Sequence, residues 1–311
     1  MVQVSVVVPT VGRSDLSGVL DALAAQDDAP PFEIIVAVDG DSEPDFGGIR
    51  LHPHCSRLVL VQLAVPQGVS VARNRAVEQA HGALIGFLDD DTVPKEDWLK
   101  RLQVNLSGEH AGVAGRIFEQ ASESILSRLR ALAFAYRNIH NQGLGENPIQ
   151  VDYMNGGNCG IRAEIFRELG GFDPKFRKSQ DRDLARRVVL AGHTITYDPE
   201  LAITHAGHYT AKGFWRGRFR AGRAAQTMKR LSGAVSVGPT RMRTTYGGGL
   251  LKLSFQHGVK LAFAALVALV AHRAGWVTGM LFGPEEGSSK GPDPTGPTPS
   301  TVRQVYPVAT A

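Results

Sequence analysis

Several features are scarce in this sequence of 311 residues, and each absence narrows what the chain can be. Its two cysteines, Cys55 and Cys159, are too few and too far apart for a disulfide framework or a cysteine-built metal site. The first residues have no basic region and no small-residue cleavage site, so we expect no secretory signal. An uninterrupted apolar run at residues 261–271 is shorter than the roughly 20 residues that cross a bilayer. A reducing compartment fits these absences.

Acidic residues are missing from residues 201–284, and this absence matters more than the net charge of +4. The same segment carries twelve Lys and Arg residues. This leaves 22 of the 34 basic residues for the rest of the chain, against all 30 acidic ones. The sequence therefore joins an acidic body to a cationic segment, which predicts contact with anionic lipid, nucleic acid or a phosphorylated substrate.

Two common glycine-rich phosphate motifs are also missing. The turn at residues 9–15 reads Pro-Thr-Val-Gly-Arg-Ser-Asp, which is not the dinucleotide fingerprint, and the P-loop pattern does not occur. A nicotinamide-dependent enzyme is therefore disfavoured. Any phosphate must be held by something else, and a divalent metal on Asp91 is the natural candidate.

Apolar β-branched runs, which are plentiful, alternate with stretches of helical periodicity. The alternation predicts four strands and two intervening helices: strands at 2–9, 32–39, 58–63 and 84–91, and helices at 16–25 and 69–80. This order is typical of an α/β fold with a mostly parallel sheet and helices on both faces. In such open sheets, ligands bind beyond the C-terminal ends of the strands.

Polar residues follow the predicted strands at that edge. Thr10 and Asp39 end two strands, and Asp89, Asp90 and Asp91 end the fourth. Adjacent like charges repel each other and lose solvation, so a shared cation stabilises them, and carboxylate oxygens suit Mg²⁺ or Mn²⁺. The alternative is a solvated acidic turn whose last carboxylate, or the threonine after it, caps the next helix.

Four motifs in order resemble the donor half of family 2 glycosyltransferases with the GT-A fold, a Rossmann-like sheet. They are Val-Val-Val-Pro-Thr at residues 6–10, the strand ending in Asp39, Gly68-x-x-x-Ala72-Arg73-Asn74, and Leu-Asp-Asp-Asp at residues 88–91. The resemblance implies a nucleotide-diphospho-sugar donor and a divalent metal cofactor, Mn²⁺ or Mg²⁺.

The resemblance also implies a role for each matching residue of the donor site. The nucleotide-sugar site would comprise Pro9, Thr10, Asp39, Gly68, Arg73, Asp89 and Asp90. Among these, Pro9, Thr10 and Asp39 would hold the base, Arg73 would approach the diphosphate, and Asp89 would face the ribose. Asp91 would bind the metal, while Asp90, at a position that varies in the family, would tune the charge or cap the next helix.

The acceptor half resembles the family at two places. Gly156, Gly157 and Asn158 match a glycine-asparagine motif near the donor sugar and the acceptor, where a Cβ would block close approach of the backbone. A hairpin turn is the alternative. Asp181 matches the general base of an inverting transfer, with Gln180 where the family most often has Glu. Asp181 or the serine at 179 also suits a helix cap.

His205, or else His208, matches a histidine that some family members use as an additional metal ligand. A neutral imidazole suits Mn²⁺ better than Mg²⁺. The alternative is a structural or solvated histidine, which is the commoner role of a lone one.

The C-terminal third predicts contact with a membrane. Lys212, Arg216, Arg220 and Arg223 follow helical spacing, with Phe214, Trp215 and Phe219 between them as aromatic anchors. The same cations could instead grip a lipid-linked pyrophosphate or the donor's diphosphate, and without a recognised module nucleic acid is disfavoured. Two apolar stretches, 261–271 and 274–283, favour a helical hairpin dipping into one leaflet, with a pair of helices packed on the protein's own core as the alternative.

We therefore predict a catalytic domain at 1–210, with a donor half at 1–118 and an acceptor half at 119–210. A basic, membrane-associating helical segment follows at 211–283 and a disordered tail at 284–311. The predicted function is a metal-assisted, inverting transfer of a sugar to a hydroxyl of a polysaccharide, glycolipid or lipid-linked glycan, at the cytoplasmic face of the cell membrane. The alternatives are a sugar nucleotidyltransferase and a catalytically silent glycan- or lipid-binding scaffold.

Overall fold

The computed structural model describes residues 1–12, 16–46, 48–120, 123–142, 149–176, 178–206, 210–232, 248–282 and 300–306. The strands in these ranges are β1 (Val4–Thr10), β2 (Phe32–Asp39), β3 (Cys55–Leu63), β4 (Leu84–Leu88), β5 (Thr92–Pro94), β6 (Gly112–Glu119), β7 (Ile149–Gln150), β8 (Asn158–Arg162), β9 (Ile195–His205) and β10 (Ser300–Tyr306). The helices are α1 (Ser17–Ala24), α2 (Val69–Glu78), α3 (Trp98–Ser107), α4 (Ile125–Gln142), α5 (Ala163–Glu168), α6 (Gln180–Leu190), α7 (Ala211–Ser232), α8 (Gly248–Gln256) and α9 (Val259–Phe282).

The chain divides into two units. The first contains the described residues of 1–116, 150–203 and 288–311, and the second those of 117–149 and 204–287. The predicted donor and acceptor halves are a division by function and stay a prediction.

Parallel strands form the centre of the sheet, in the order β3-β2-β1-β4. β1 pairs with β2 from Val4 opposite Phe32 to Thr10 opposite Val38. Every residue of β1 is buried, and so is every residue of β2 before Asp39, because their β-branched and apolar side chains are covered on both faces. Antiparallel strands extend the sheet on both sides, giving the order β10-β3-β2-β1-β4-β8-β6-β9-β5, with β7 beside β9. The predicted mostly parallel α/β sheet is confirmed.

β10 corrects the prediction of a disordered tail at residues 300–306, while the other residues of 284–311 lie outside the described ones. Residues 300–306 pair antiparallel with β3, from Ser300 opposite Leu63 to Tyr306 opposite Leu58. The tail was predicted from its Gly, Pro, Ser and Thr content, but this short stretch lacks Gly and Pro and contains β-branched residues. Backbone hydrogen bonds along β3 stabilise it where its own side chains could not form a core.

The second unit is helical and has its own hydrophobic core, formed by residues of α4, α7, α8 and α9. α9 is one helix of 24 residues, so the predicted break between 271 and 274 is wrong. His272 and Arg273 interrupt the apolar run without interrupting the helix, because neither residue breaks helical geometry. Phe214 is also corrected: it is buried in this core and is not an exposed membrane anchor.

Candidate active site

The C-terminal edge of the parallel strands gathers the polar residues that the sequence pattern singled out. β1 ends at Thr10, and β4 ends immediately before the three carboxylates. Thr10 Oγ1 donates a hydrogen bond to Asp90 Oδ2 at 2.6 Å, and Gly12 N donates to Thr10 Oγ1 at 3.0 Å. Residues 80 positions apart therefore meet at this edge, where open α/β sheets bind their ligands.

Asp39 uses both carboxylate oxygens to hold the start of α2. Its Oδ1 accepts a hydrogen bond from Gln67 N at 2.5 Å, and its Oδ2 accepts one from Gly68 N at 2.8 Å. Gly68 has a φ of +99°, which residues with a side chain rarely adopt. Each carboxylate oxygen has a second lone pair, so Asp39 keeps acceptor capacity beyond these two bonds. Pro9, also predicted to hold the base, is buried within β1.

Arg73 joins one of the three carboxylates to a glycine of the acceptor half. Its Nη2 donates to Asp89 Oδ1 at 2.6 Å and to the backbone oxygen of Gly156 at 2.8 Å. The Arg73 side chain is only 2% exposed, and its guanidinium carbon lies 5.9 Å and 5.5 Å from the ring centroids of Phe87 and Phe172. The charge is thus stabilised by a carboxylate and two aromatic rings.

Gly156 and Gly157 leave room for these side chains. A Cβ on Gly156 would overlap the Arg73 guanidinium, and a Cβ on Gly157 would overlap the Asp89 carboxylate. The sequence pattern suggested that these glycines let a sugar approach the backbone. The structure gives an internal reason for them, which is the close approach of Arg73 and Asp89.

Asp181 lies in the first turn of α6 and contacts the same glycine turn. Its Oδ2 accepts a hydrogen bond from Gly156 N at 3.1 Å, and its Oδ1 accepts one from Arg182 N at 2.9 Å. The side chain is half-buried, so it is held in place and still reachable. Two residues further on, Asp183 pairs with Arg187 at 2.8 Å, the i,i+4 pair expected on the surface of a helix.

The Asn158 side chain is fully buried and is hydrogen-bonded within the protein. Its Oδ1 accepts a hydrogen bond from Trp98 Nε1 at 2.8 Å, and its Nδ2 donates to the backbone oxygens of Arg116 and Leu201 at 2.8 Å and 2.9 Å. Both amide hydrogens are therefore used. The Asn158 side chain thus has a structural role, and the assignment of residues 156–158 to the sugar side of the site stays a prediction.

His205 ends β9 in the second unit, beside a fully buried carboxylate. Its Nδ1 lies 3.5 Å from Glu119 Oε2, and Arg130 Nε lies 3.4 Å from the same oxygen. A carboxylate at one ring nitrogen fixes the ring's orientation, as is usual for metal-bound histidines. His208, the alternative ligand, lies outside the described residues.

The strand-end carboxylates suit a metal that is shared with a ligand better than a metal enclosed by protein. Within the described ranges, no group of three or more His, Cys, Asp or Glu side chains is arranged to hold an ion. Asp89 and Asp90 already contact Arg73 and Thr10, and Asp91 is half-buried beside them. Mg²⁺ and Mn²⁺ commonly bind through one or two carboxylates together with phosphate oxygens of a substrate, so this set of donors fits.

Four residues of these networks were missed by reasoning from sequence. Phe87 and Phe172 flank Arg73, Trp98 binds Asn158, and Glu119 faces His205. The aromatic residues looked like ordinary core positions. Glu119 was missed because its partner, His205, lies 86 positions away in the sequence.

A family model described as "Glycosyltransferase like family 2" matches residues 2–224. This chain belongs to that family. The matched region contains every strand-end residue described above as well as Asp181 and His205, so the contacts of the candidate site all lie within the part of the chain that defines the glycosyltransferase family.

Relatives and a solved structure agree with the family assignment. The pre-mycofactocin glycosyltransferase of Mycobacterium tuberculosis is 28% identical over 230 residues, covering 71% of this chain and 47% of that protein. The glucosyl-dolichyl phosphate glucuronosyltransferase of Haloferax volcanii is 23% identical over 223 residues, covering 65% and 69%. The chain thus spans about half the length of the mycobacterial relative.

The mannosyltransferase PcManGT of Pyrobaculum calidifontis, solved in complex with GDP-Man and Mn²⁺, superposes with a TM-score of 0.54 at 18% identity. The match covers 90% of this chain and 76% of that one. At this identity the likeness shows the fold, which is that of the GT-A glycosyltransferases.

Proposed function

We propose that this protein transfers a sugar from a nucleotide-diphospho-sugar to an acceptor hydroxyl with inversion at the anomeric carbon. The observation that carries the proposal is the meeting of Asp89 and Asp181 through Arg73 and Gly156 at the ligand-binding edge of the sheet. In a single displacement, the general base and the leaving diphosphate lie on opposite faces of the anomeric carbon, so the base must lie close to the donor site.

Donor binding is assigned to the strand-end residues. Thr10 and Asp39 would contact the base together with Pro9, and the backbone at Gly68 would border the nucleotide because Asp39 holds it at the start of α2. Asp89 would face the ribose, while Asp90 is held by Thr10. Bound Mn²⁺ or Mg²⁺ would neutralise the negative charge that the leaving diphosphate gains. Asp91 is the proposed ligand, and His205 stays a prediction as a further one.

Asp181 is the proposed general base. Two backbone N–H groups hold its carboxylate. It would take the proton of the acceptor hydroxyl as that oxygen bonds to the anomeric carbon and the bond from this carbon to the diphosphate oxygen breaks. Attack from the face opposite the leaving group inverts the configuration.

A panel of nucleotide sugars tests the proposal. Incubation with UDP-, GDP-, ADP-, CDP- and dTDP-linked sugars and candidate acceptors should release a nucleoside diphosphate from one donor class. NMR of the product should show the inverted anomer. Retained configuration would contradict the single displacement. Pyrophosphate release from a nucleoside triphosphate and a sugar phosphate would identify a nucleotidyltransferase, and no reaction in either assay would favour a silent scaffold.

The second unit suggests where the enzyme works, because it presents cations and exposed apolar residues. Lys212, Arg216 and Arg220 are exposed along α7. One side of α9 packs on its neighbours through small residues, while the other exposes Phe263, at 67%, and further apolar residues including Leu266 and Val270. Such a surface suits an anionic bilayer. The proposed location is therefore the cytoplasmic face of the cell membrane.

α9 is long and apolar enough to cross a membrane, but its packing favours a position in the membrane plane. A Cβ on Gly222 of α7 would overlap the backbone of His272, and one on Gly275 would overlap that of Phe219, so α7 and α9 lie against each other at mid-length. If α9 crossed the bilayer, α7 would be drawn in with it. Each α7 cation at the bilayer centre would cost about 2.5–3.5 kcal/mol.

The acceptor is proposed to be a glycan or lipid-linked glycan. One relative is named for a glucosyl-dolichyl phosphate, which is a sugar on a lipid carrier. An enzyme held at a membrane surface would meet such carriers directly. Transfer to a lipid-linked acceptor in vesicles, compared with a water-soluble one, checks this assignment.

A further inference from the structure

Arg73 contacts both the donor side and the general-base side of the proposed site. One contact is with Asp89, assigned to the donor, and the other is with Gly156, whose N–H holds Asp181. We propose that Arg73 is a positioning residue that sets the geometry of the donor carboxylate and of the general base together. This inference rests on the proposed function and adds a role that is distinct from direct binding of the diphosphate.

The burial of Arg73 supports an indirect role. At 2% exposure, with aromatic rings about it, the guanidinium is covered by protein. Of its three nitrogens, Nη2 makes both hydrogen bonds, and within the described residues Nε and Nη1 are buried without a partner. Burying these two nitrogens without partners costs free energy. The guanidinium nevertheless stays in one place, because moving it toward solvent would break both hydrogen bonds and both ring contacts.

The backbone of Gly156 connects Arg73 to Asp181. The oxygen of Gly156 accepts from Arg73 at 2.8 Å, and its nitrogen donates to Asp181 Oδ2 at 3.1 Å. Both peptide groups that flank Gly156 are therefore fixed, one by each charged side chain. If the guanidinium moved, the peptide group that contains the Gly156 oxygen would be released. The Gly156 N–H that holds Asp181 would then rotate.

Arg73→Lys is the informative substitution. Lysine keeps the positive charge, but its side chain is one bond shorter and its ammonium is not planar, so it cannot place a donor at the position of Nη2 between Asp89 and Gly156. Gly156→Ala is a second route to the same effect, because the added methyl group would overlap the guanidinium without removing any charge. It keeps the test open if the lysine variant does not fold.

The experiment is a pair of double-mutant cycles on the full-length protein. The first combines Arg73→Lys with Asp89→Asn and measures the Kd of UDP and GDP by calorimetry with Mn²⁺ present. The second combines Arg73→Lys with Asp181→Asn and measures kcat. We expect each single variant to be impaired and each double variant to be no worse than the more impaired single one. Residues in one hydrogen-bonded network couple by roughly 2- to 100-fold.

Matched substitutions provide the controls. Arg75→Lys lies on the same helix, where Arg75 pairs with Glu78 at the surface, and should leave Kd and kcat within twofold. Gly156→Ala should lower kcat at least as much as Arg73→Lys, whereas Gly108→Ala, whose methyl group would meet no atom within 4 Å, should not. The lysine variant should melt within a few degrees of the wild type.

Strictly additive cycles would overturn the inference and leave the proposed function standing, because Arg73 would then act on the diphosphate independently of Asp89. Normal kcat in Gly156→Ala would also overturn it. A wild-type protein that binds no nucleoside diphosphate and turns over no nucleotide sugar would overturn the proposed function, and the inference would fall with it.

Discussion

Most of the carboxylates at the strand ends already hold parts of the protein. Asp39 holds the start of α2, Asp89 is bound by Arg73, and Asp90 is bound by Thr10. Substitution of such residues should change binding and stability together. Asp181 lies apart from the strand ends, in the first turn of α6, where Gly156 N and Arg182 N hold its half-buried side chain.

Asp181→Asn should therefore abolish turnover without weakening the donor complex. Loss of a general base lowers kcat by about 10²- to 10⁴-fold, and the Kd of the nucleoside diphosphate should stay within twofold. Steady-state kinetics and calorimetry measure the two quantities. Asp183→Asn, which breaks the pair with Arg187 on the same helix, is the control and should alter melting more than turnover. Unchanged turnover in Asp181→Asn would remove the assigned role.

Asp91→Asn should abolish metal-dependent transfer while the fold stays intact. A carboxamide oxygen is a weaker ligand than a carboxylate, so Mn²⁺ titration followed by electron paramagnetic resonance should show loss of bound metal. Circular dichroism should match the wild type. Full turnover in this variant, or in wild-type enzyme treated with chelator, would contradict a metal-assisted reaction.

Asn158→Ala should destabilise the protein without a specific effect on donor binding. The change leaves Trp98 Nε1 and two backbone oxygens without their buried partner, and each such group costs about 1–3 kcal/mol. We expect denaturant titration to show a loss of at least about 3 kcal/mol. Asn105→Ala, on a less buried surface of α3, should lose less. Lost turnover at unchanged stability would contradict a purely structural role of the Asn158 side chain.

At the residue scale, sequence identified the residue types of the site better than their partners. The carboxylates of the fourth strand were predicted from their clustering at the strand end, and Asp181 was predicted from its match to a motif of the glycosyltransferase family. The burial of Arg73 and the role of Asn158 were not predictable, since each depends on atoms from elements 42 to 83 positions away. A sequence motif identifies a functional residue, but the order of the strands in the sheet determines which residues it contacts.

At the element scale, the pattern of residues along the sequence predicted the buried strands and the helix α7. The strands β1 to β4 are buried on both faces, so their apolar runs were unambiguous, and α7 follows the helical spacing of its cations. α9 was divided in error because polar residues at 272 and 273 resembled a turn. β10 was missed because it is stabilised by backbone hydrogen bonds to β3. The sequence of an edge strand does not show whether a neighbouring strand is available to pair with it.

Removal of β10 should expose the edge of β3. A chain that ends at residue 299 leaves the backbone groups of β3 unpaired on that side, and unpaired edges associate with one another. We expect a lower melting temperature and concentration-dependent light scattering. A chain that ends at residue 306 keeps β10 and is the control. Equal melting and scattering in the two chains would show that β10 contributes nothing to the sheet.

At the scale of the whole molecule, the two native thiols provide a clean background for labelling. Burial raises the pKa of Cys55 to about 12 and also raises that of Cys159, so both thiols stay protonated and covered near neutral pH. A maleimide should react with neither cysteine in the folded protein and with both after unfolding. Fast labelling of the native chain would contradict the buried positions.

The same background allows the orientation of α9 to be measured. Val259→Cys and Phe282→Cys place a thiol at each exposed end of the helix, and a membrane-impermeant maleimide should label both from outside the vesicles if α9 lies in the plane. Flotation should require anionic lipid and should weaken when Lys212, Arg216 and Arg220 are changed to Gln. Protection of one end only would show a crossing helix.

Val104→Ser, which removes an exposed apolar side chain from α3, controls for general loss of surface hydrophobicity and should float like the wild type. Binding to neutral vesicles as strong as to anionic ones would remove the electrostatic part of the proposal. A different outcome is that the protein fails to float and forms a soluble dimer through the exposed apolar residues of α9. That result would show that this side of α9 binds a second copy of the chain.

The pairing of β10 with β3 also has a consequence for synthesis on the ribosome. More than two hundred residues separate Leu63 from Ser300, so β3 emerges long before the strand that covers it. During that interval a nascent chain exposes an apolar edge that is open to association with neighbouring chains. Slower elongation lengthens the exposure, so chaperone demand should follow the time needed to translate the C-terminal third.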